Sequence, residues 1–419
     1  MTSGLYGPLT NCMNCGETGL TSVLFLGYLA PVSTMSAQSF GPEKGTRYPT
    51  EILYCPSCHL VQLGYVPNPK ELFQPDYTYT SGTTRSIREN FTDLFHKACD
   101  HFDLKTDDLI VDIGSNDGTL LSNFKEGGYR VVGIEPTNIA DFAAEKGITT
   151  IKSFLSLDAV SQINDTHGKA RLVTAANVFA HIPNLDNVMS CIRGLLKDDG
   201  IFISESDYLR DIIDDLGYDT IFHEHLRYYS VTSIKNLLDR HGFKVIHIER
   251  IPTHGGSIRV YTTRDMDYKI DPSVAKILSE ERNLGLAGDS WAVQFKQRVI
   301  RSKISLYGIL KDIVAEGAEI YGIGAPARAT TFLNYVGLDR DLISCVLEVP
   351  GSQKIGKYMP GTGIPVFDEK ILYENQPAYA LMLSWHIAKE LCPILKCNGY
   401  QGDFIIPMPE PRIFRNEDV

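Results

Sequence analysis

Val111-Asp112-Ile113-Gly114-Ser115-Asn116-Asp117-Gly118-Thr119-Leu120 decides how this chain is read. With Leu109 and Ile110 before it, an apolar run breaks at a glycine turn and resumes as a helix start. Gly114 permits a tight turn, and Gly118 permits close approach of the backbone to a ligand. The spacing is not Gly-x-Gly-x-x-Gly, and the turn carries Asp112 and Asp117. Carboxylates there repel a pyrophosphate and suit an amino-acid ammonium group. The next apolar run, residues 130–134, ends in Glu135, placed to accept hydrogen bonds from ribose hydroxyls. With Glu135, the loop residues Asp112, Gly114, Ser115, Asn116, Asp117 and Gly118 favour S-adenosylmethionine over a nicotinamide dinucleotide, and over an unoccupied turn.

Further strands are expected at residues 171–175 and 200–204, with helices between. Alternation of this kind implies a parallel sheet covered on both faces. Upstream, Ile87, Phe91, Leu94 and Phe95 mark an amphipathic helix over residues 87–102. Downstream, residues 272–316 are polar and helical, with Val293, Phe295, Val299, Ile300, Ile304 and Leu306 as the apolar stripe. A second strand–turn unit opens at residues 319–324, with later strands at 342–347 and 378–383. The fold class expected is α/β: a Rossmann-like methyltransferase-type domain, a second Rossmann-like domain and a small N-terminal piece. The boundaries are 1–75, 76–271 and 272–419.

The chain has 419 residues, of which 43% are hydrophobic and 22% charged, enough for more than one core. Its formal net charge of −11 makes nucleic acid a poor partner. No apolar stretch approaches a membrane span, and the first residues lack a basic segment followed by an apolar run. A cytoplasmic location is expected.

Four of the 9 cysteines form two Cys-x-x-Cys pairs, Cys12/Cys15 and Cys55/Cys58. Two intervening residues let both sulfurs of a pair face one tetrahedral ion, and four thiolates leave no open position. A structural zinc is expected, against unconnected or redox pairs. The metal would stabilise an N-terminal piece that cannot bury much core alone. His59 is read as a surface residue rather than a ligand. Cys99, Cys191, Cys345, Cys392 and Cys397 are read as small core residues.

Asn177 and His181 follow the expected strand at 171–175 and so point at a ligand crevice, unless His181 makes local hydrogen bonds alone. Phe222-His223-Glu224-His225 places two histidines around a carboxylate. A neighbouring acid can raise the basicity of an imidazole, which makes a general base. A metal site and a structural polar cluster are the alternatives. His254-Gly255-Gly256-Ser257, with Arg259 two residues on, suits an anion or a turn entering a strand. Gly324, Ala325 and Arg328 open a helix whose N–H groups suit a phosphate, with Lys357, Tyr358 and His386 as cleft candidates. Dinucleotide binding there lacks a clear ribose acid, Glu348 being the one candidate.

Assembled in this order, these motifs resemble those of the sugar C-methyltransferases of deoxysugar biosynthesis. Members have an N-terminal zinc-binding domain, a central S-adenosylmethionine-dependent domain and a C-terminal Rossmann-like domain. The resemblance covers nearly the whole chain. It implies a nucleotide-linked 4-keto-deoxysugar, usually dTDP-linked and methylated at C3. It implies His225 as base with Glu224 beside it, and Tyr79 and His181 in the active site. One departure is Phe222, where relatives often carry a tyrosine.

The chemistry fits these residue types. A C4 ketone acidifies the C3 proton, and pre-placed donors such as Tyr79 and His181 stabilise the enolate oxygen. An O- or N-methyltransferase, a dehydrogenase and a non-catalytic binding module are the competing readings.

Overall fold

The computed structural model describes residues 6–38, 45–72 and 80–418. Tyr79 lies outside the described residues. Near the N-terminus, β1 (Thr21–Leu29), β2 (Tyr48–Tyr54) and β3 (Val61–Leu63) form an antiparallel sheet. The central region supplies β4 (Leu109–Ile113), β5 (Arg130–Ile134), β6 (Thr149–Ile151), β7 (Ala170–Ala176) and β8 (Leu196–Asp207). The short β9 (Arg227–Tyr228) leaves this region to pair with β3, so the N-terminal sheet runs β9-β3-β2-β1. Then β10 (Lys244–Ile251) and β11 (Ser257–Thr263) complete a seven-stranded sheet of order β10-β11-β8-β7-β4-β5-β6.

In that sheet β11 runs antiparallel to both neighbours, and the strands from β8 to β6 are parallel. The expected Rossmann-like methyltransferase class is thus met. All five residues of β4 are buried, as a central parallel strand requires. The chain leaves β4 toward β5 on one side and returns to β7 on the other. That reversal opens a crevice beyond the carboxyl ends of β4 and β7.

The third sheet contains β12 (Ile320–Ile323), β13 (Cys345–Glu348), β14 (Val366–Asp368), β15 (Tyr379–Met382), β16 (Asp403–Ile406) and β17 (Arg412–Phe414). Its order is β14-β13-β12-β15-β16-β17, parallel except for β17. The same reversal occurs at β12 and β15, so this domain too presents a crevice.

The polar stretch before it forms two helices, Pro272–Asn283 and Ser290–Ala315. Asp271 caps the first by accepting from the Ser273 N–H at 2.8 Å, with Pro272 in the first turn. The expected stripe of the second needs correction. Phe295, Val299 and Leu306 are buried, but Val293, Ile300 and Ile304 are exposed. The packed face runs through Trp291, Phe295, Val299, Leu306, Leu310 and Ile313, and hydropathy alone did not separate the two faces.

The N-terminal sheet has no private core. Val23, Leu26, Ile52 and Leu63 share one cluster with Trp291 and Phe295, and with Phe332 and Leu333 of the helix Ala327–Val336. On its other side, Cys12, Cys55, Cys58 and Leu60 pack into the methyltransferase-type core with Phe179 and Tyr229. Of the remaining cysteines, Cys191, Cys345 and Cys392 are buried as expected. Cys99 is half-buried and Cys397 exposed, since both sit near helix ends on outward faces.

Candidate active site

The two crevices face one cavity of about 1370 Å³, which residues 32–37 of the N-terminal region also line. On its methyltransferase side, Gly114 and Asn116 turn with φ of 68° and 49°, the left-handed region. A side chain on Gly114 would collide with Val178. Glu135 directly follows β5 and lines the cleft. Its Oε1 accepts from the N–H and hydroxyl of Thr137 at 2.9 and 2.7 Å, and its Oε2 from the Asn116 N–H at 3.1 Å. Beyond it stand Ile139, Phe142 and Phe154 as apolar walls. Asn177, with φ of 57°, lies across the crevice, its N–H bonded to the Glu205 carbonyl at 3.0 Å. A carboxylate for ribose hydroxyls, an apolar wall for a purine and an open glycine turn fit S-adenosylmethionine.

The acids of the turn do not face that ligand. Asp112 lies within β4, not in the turn, and accepts from the Thr174 hydroxyl of β7 at 2.6 Å, and burial pushes its carboxyl up to about 7. Asp117 accepts from the Thr119 hydroxyl at 2.7 Å and the Gly82 N–H at 3.2 Å, and pairs with Lys146 at 3.2 Å. The Ser115 N–H is spent on the Ile134 carbonyl. A Cβ on Gly118 would meet Ile148 at 2.6 Å, so its smallness serves helix packing rather than ligand approach.

The second cluster lies deeper. The ring of His225 stands 4.9 Å from that of His181 and 3.9 Å from that of Phe222. Its Nδ1 is 3.0 Å from the Thr220 carbonyl and 3.4 Å from Asp207 Oδ2. Burial, then nearby His254, pushes His225 down to about 3; burial, then His225, pushes His181 equally low. Both rings are therefore neutral at ordinary pH. Burial raises Asp207, and pushes Glu224 up to about 7, its Oε1 buried without a partner among the described residues. His223 points away from the cleft, bonding Thr50 Oγ1 at 2.9 Å and so pinning the N-terminal sheet.

On the C-terminal side, Ala325, Arg328, Lys354, Lys357 and His386 line the cavity with His254. Arg328 grips Asp219 with two bonds of 2.8 and 2.6 Å, donates to the His254 carbonyl at 3.1 Å and lies 5.0 Å from the Trp385 ring. Several expected ligand contacts lie elsewhere. Arg259 is fully buried, donating to Glu205 at 2.5 Å and Asp93 at 3.0 Å, so it braces the sheet against the helix Arg85–His101. Ser257 bonds the Thr253 carbonyl at 3.0 Å. A Cβ on Gly256 would strike Asp211, one on Gly324 would strike Ser384, and Gly255 abuts Arg328 and His386. The Tyr358 N–H bonds the Ser36 carbonyl at 2.9 Å, joining the outer domains.

Sequence reading missed Asp207, Asp219, Arg227 and Trp385. Asp207 had a partial signal: the strand expected at 200–204 runs on to Asp207, and such strand ends face the crevice.

The sulfur atoms of Cys12, Cys15, Cys55 and Cys58 all lie within 4.8 Å of one another, with Cys12–Cys58 at 3.4 Å and Cys15–Cys55 at 3.6 Å. A tetrahedral zinc with bonds of about 2.3 Å separates its sulfurs by about 3.8 Å, so the set fits that ion. His59 is no ligand; its Nδ1 faces the Tyr54 hydroxyl at 2.6 Å.

Comparison with known proteins follows this layout. A C-methyltransferase C-terminal domain model matches residues 252–409, a methyltransferase domain model residues 79–248, and a model described as a proposed zinc binding domain residues 12–73. The C-methyltransferase NovU of Streptomyces niveus is 32% identical over 417 residues, covering 98% of each chain.

The chain belongs to the C-methyltransferase family.

This C-methyltransferase also matches solved structures over part of its length. Magnesium protoporphyrin IX methyltransferase from Synechocystis is 16% identical, covering 43% of this chain and 84% of that one, with a TM-score of 0.33. A SAM dependent methyltransferase from Archaeoglobus fulgidus is 16% identical, covering 42% and 93%, with a TM-score of 0.35. Family membership sets aside the dehydrogenase, O- or N-methyltransferase and binding-module readings. Among the described residues, no helix is long and apolar enough to cross a membrane.

Proposed function

We propose that this C-methyltransferase uses S-adenosylmethionine to methylate C3 of a nucleotide-linked 4-keto-deoxysugar, with thymidine diphosphate as the nucleotide and His225 as the base. The observation that carries this reading is the neutral His225–His181 pair beside Asp207, set between the Glu135 crevice and the C-terminal wall that carries Lys357 and His386.

When bound, S-adenosylmethionine supplies an electrophilic methyl group. Gly114, Asn116, Glu135 and Asn177 would hold it, with Phe142 and Phe154 against its purine. On the C-terminal wall Arg328 is paired with Asp219 and Lys354 with Glu348 at 3.4 Å, so Lys357 is the cation of the three with no carboxylate in ion-pair distance among the described residues, and the one offered to a diphosphate. His225 takes the C3 proton on Nε2, because Nδ1–H is committed to the Thr220 carbonyl. The imidazolium so formed faces Asp207, whose carboxylate stabilises it at 3.4 Å. Each pKa unit between carbon acid and base costs about 1.36 kcal/mol, so donors at the C4 oxygen must lower the barrier further. His181 and Tyr79 are the side chains offered for that task.

The test is a mass-resolved assay in deuterated water with S-adenosylmethionine and dTDP-4-keto-6-deoxysugars. One added methyl group, with C3 exchange abolished in His225→Asn, is expected. Methyl transfer with unchanged exchange in that variant would remove His225 as base, and cofactor binding without transfer to any such sugar would remove the substrate class.

A further inference from the structure

Arg227 is 2% exposed, and no carboxylate stands within ion-pair distance of it among the described residues. Burying a guanidinium in this way is costly unless its donors are well used. Nε is buried without a hydrogen-bond partner among the described residues, and the two terminal nitrogens converge on one loop. Nη2 donates to the carbonyls of Phe179 at 3.0 Å and Ile182 at 2.5 Å, and Nη1 to that of Pro183 at 3.4 Å. The Ala180 carbonyl accepts from the Leu226 N–H at 3.2 Å. Four carbonyls of residues 179–183 are therefore tied to two consecutive residues.

That loop belongs to no helix or strand and carries His181. The anchoring residues directly follow His225. A planar guanidinium with several fixed donors suits a cage of carbonyls in a way an ammonium does not. On its far side, Nη1 lies 3.9 Å from Met13 Sδ, next to Cys12. A zinc tetrathiolate there would carry two net negative charges beside the buried cation.

Resting on the active-site reading above, we infer that Arg227 is a positioning residue, which sets the distance between His181 and His225 by clamping the 179–183 loop to β9. A metal-bound tetrathiolate would help balance its charge. Arg227 touches neither sugar nor cofactor in this role and acts through His181.

The test is a double-mutant cycle of Arg227→Lys with His181→Ala, Arg227→Gln serving as a second replacement. Metal content, near-UV circular dichroism and S-adenosylmethionine affinity are read beside kcat and KM. Misplacement by about 1 Å can cost up to about 10²-fold, so kcat is expected to fall at least about tenfold with KM and cofactor affinity nearly unchanged. In the His181→Ala background the Arg227 replacement should add less than about a twofold effect. If the two losses multiply, or kcat falls in step with metal content, the positioning role is overturned while the site reading stands. If His181→Ala alone turns over normally, the site reading fails, and the inference with it. If neither Arg227 variant folds, the residue serves stability and the inference is overturned.

Discussion

Nδ1 of His225 stands 3.0 Å from the carbonyl oxygen of Thr220. A carbonyl can only accept, so the proton of the neutral ring sits on Nδ1 and the lone pair on Nε2. Burial holds the imidazolium well below the ordinary histidine value, to about 3. A group so depressed stays in its base form as pH falls through 6 and 5. The acid limb of kcat/KM should therefore lie well below about 6.5, the unperturbed histidine value. A rate profile measured on folded enzyme tests this; an acid limb at the ordinary value would show that His225 is solvated during turnover, or is not the base.

Glu224 gives a stability prediction with a definite sign. Burial raises its carboxyl from 4.5 to about 7, so the folded state binds a proton that the unfolded state has released. This contribution is present at low pH and is lost as pH rises through about 7. Glu224→Gln, uncharged throughout, should gain stability relative to the parent as pH rises from about 5.5 to 8.5. Urea midpoints at the two pH values measure it, and an equal difference at both would refute the burial argument.

Breaking the Asp219–Arg328 pair should be severe, because either single truncation leaves a buried charge alone. Arg328→Ala or Asp219→Ala is expected to cost about 3–5 kcal/mol. The double variant should lose less than the sum, since no lone charge remains. Chemical denaturation of the three proteins checks this. The 3-10 turn Tyr218–Thr220 carries both Asp219 and the Thr220 carbonyl, so activity should fall in the single variants even at temperatures where they stay folded.

Metal removal should reach the active site. Cys55→Ser, or chelation, should lower zinc from one per chain, with a folding loss on the order of 10 kcal/mol. Because β9 belongs to the N-terminal sheet, turnover should vanish before the central sheet melts. Metal analysis beside far-UV circular dichroism follows the order of events; activity persisting in metal-free protein would separate the two sites.

The local signals were legible where local physics decides. The largely apolar β4, the glycine turn and the acid just after β5 announced a parallel sheet with a ligand crevice. The paired cysteines announced a metal site, because thiolate spacing within each half is set along the chain. Arg259 misled for a complementary reason. A charged residue after a glycine turn looks like an anion contact, but whether it meets a ligand or Glu205 depends on a strand 54 residues away in sequence. Val293 and Ile304 failed likewise, since the covered face of a helix is chosen by its partner.

The sequence by itself determined the element types, the order of the three regions and the chemical character of the histidine cluster. Only the tertiary structure decided that His181 and His225 face each other, that β9 crosses into the N-terminal sheet and that Arg328 closes on Asp219. Those facts arise from contacts between residues far apart in sequence. Their energies depend on burial and on converging donors, which no local pattern encodes.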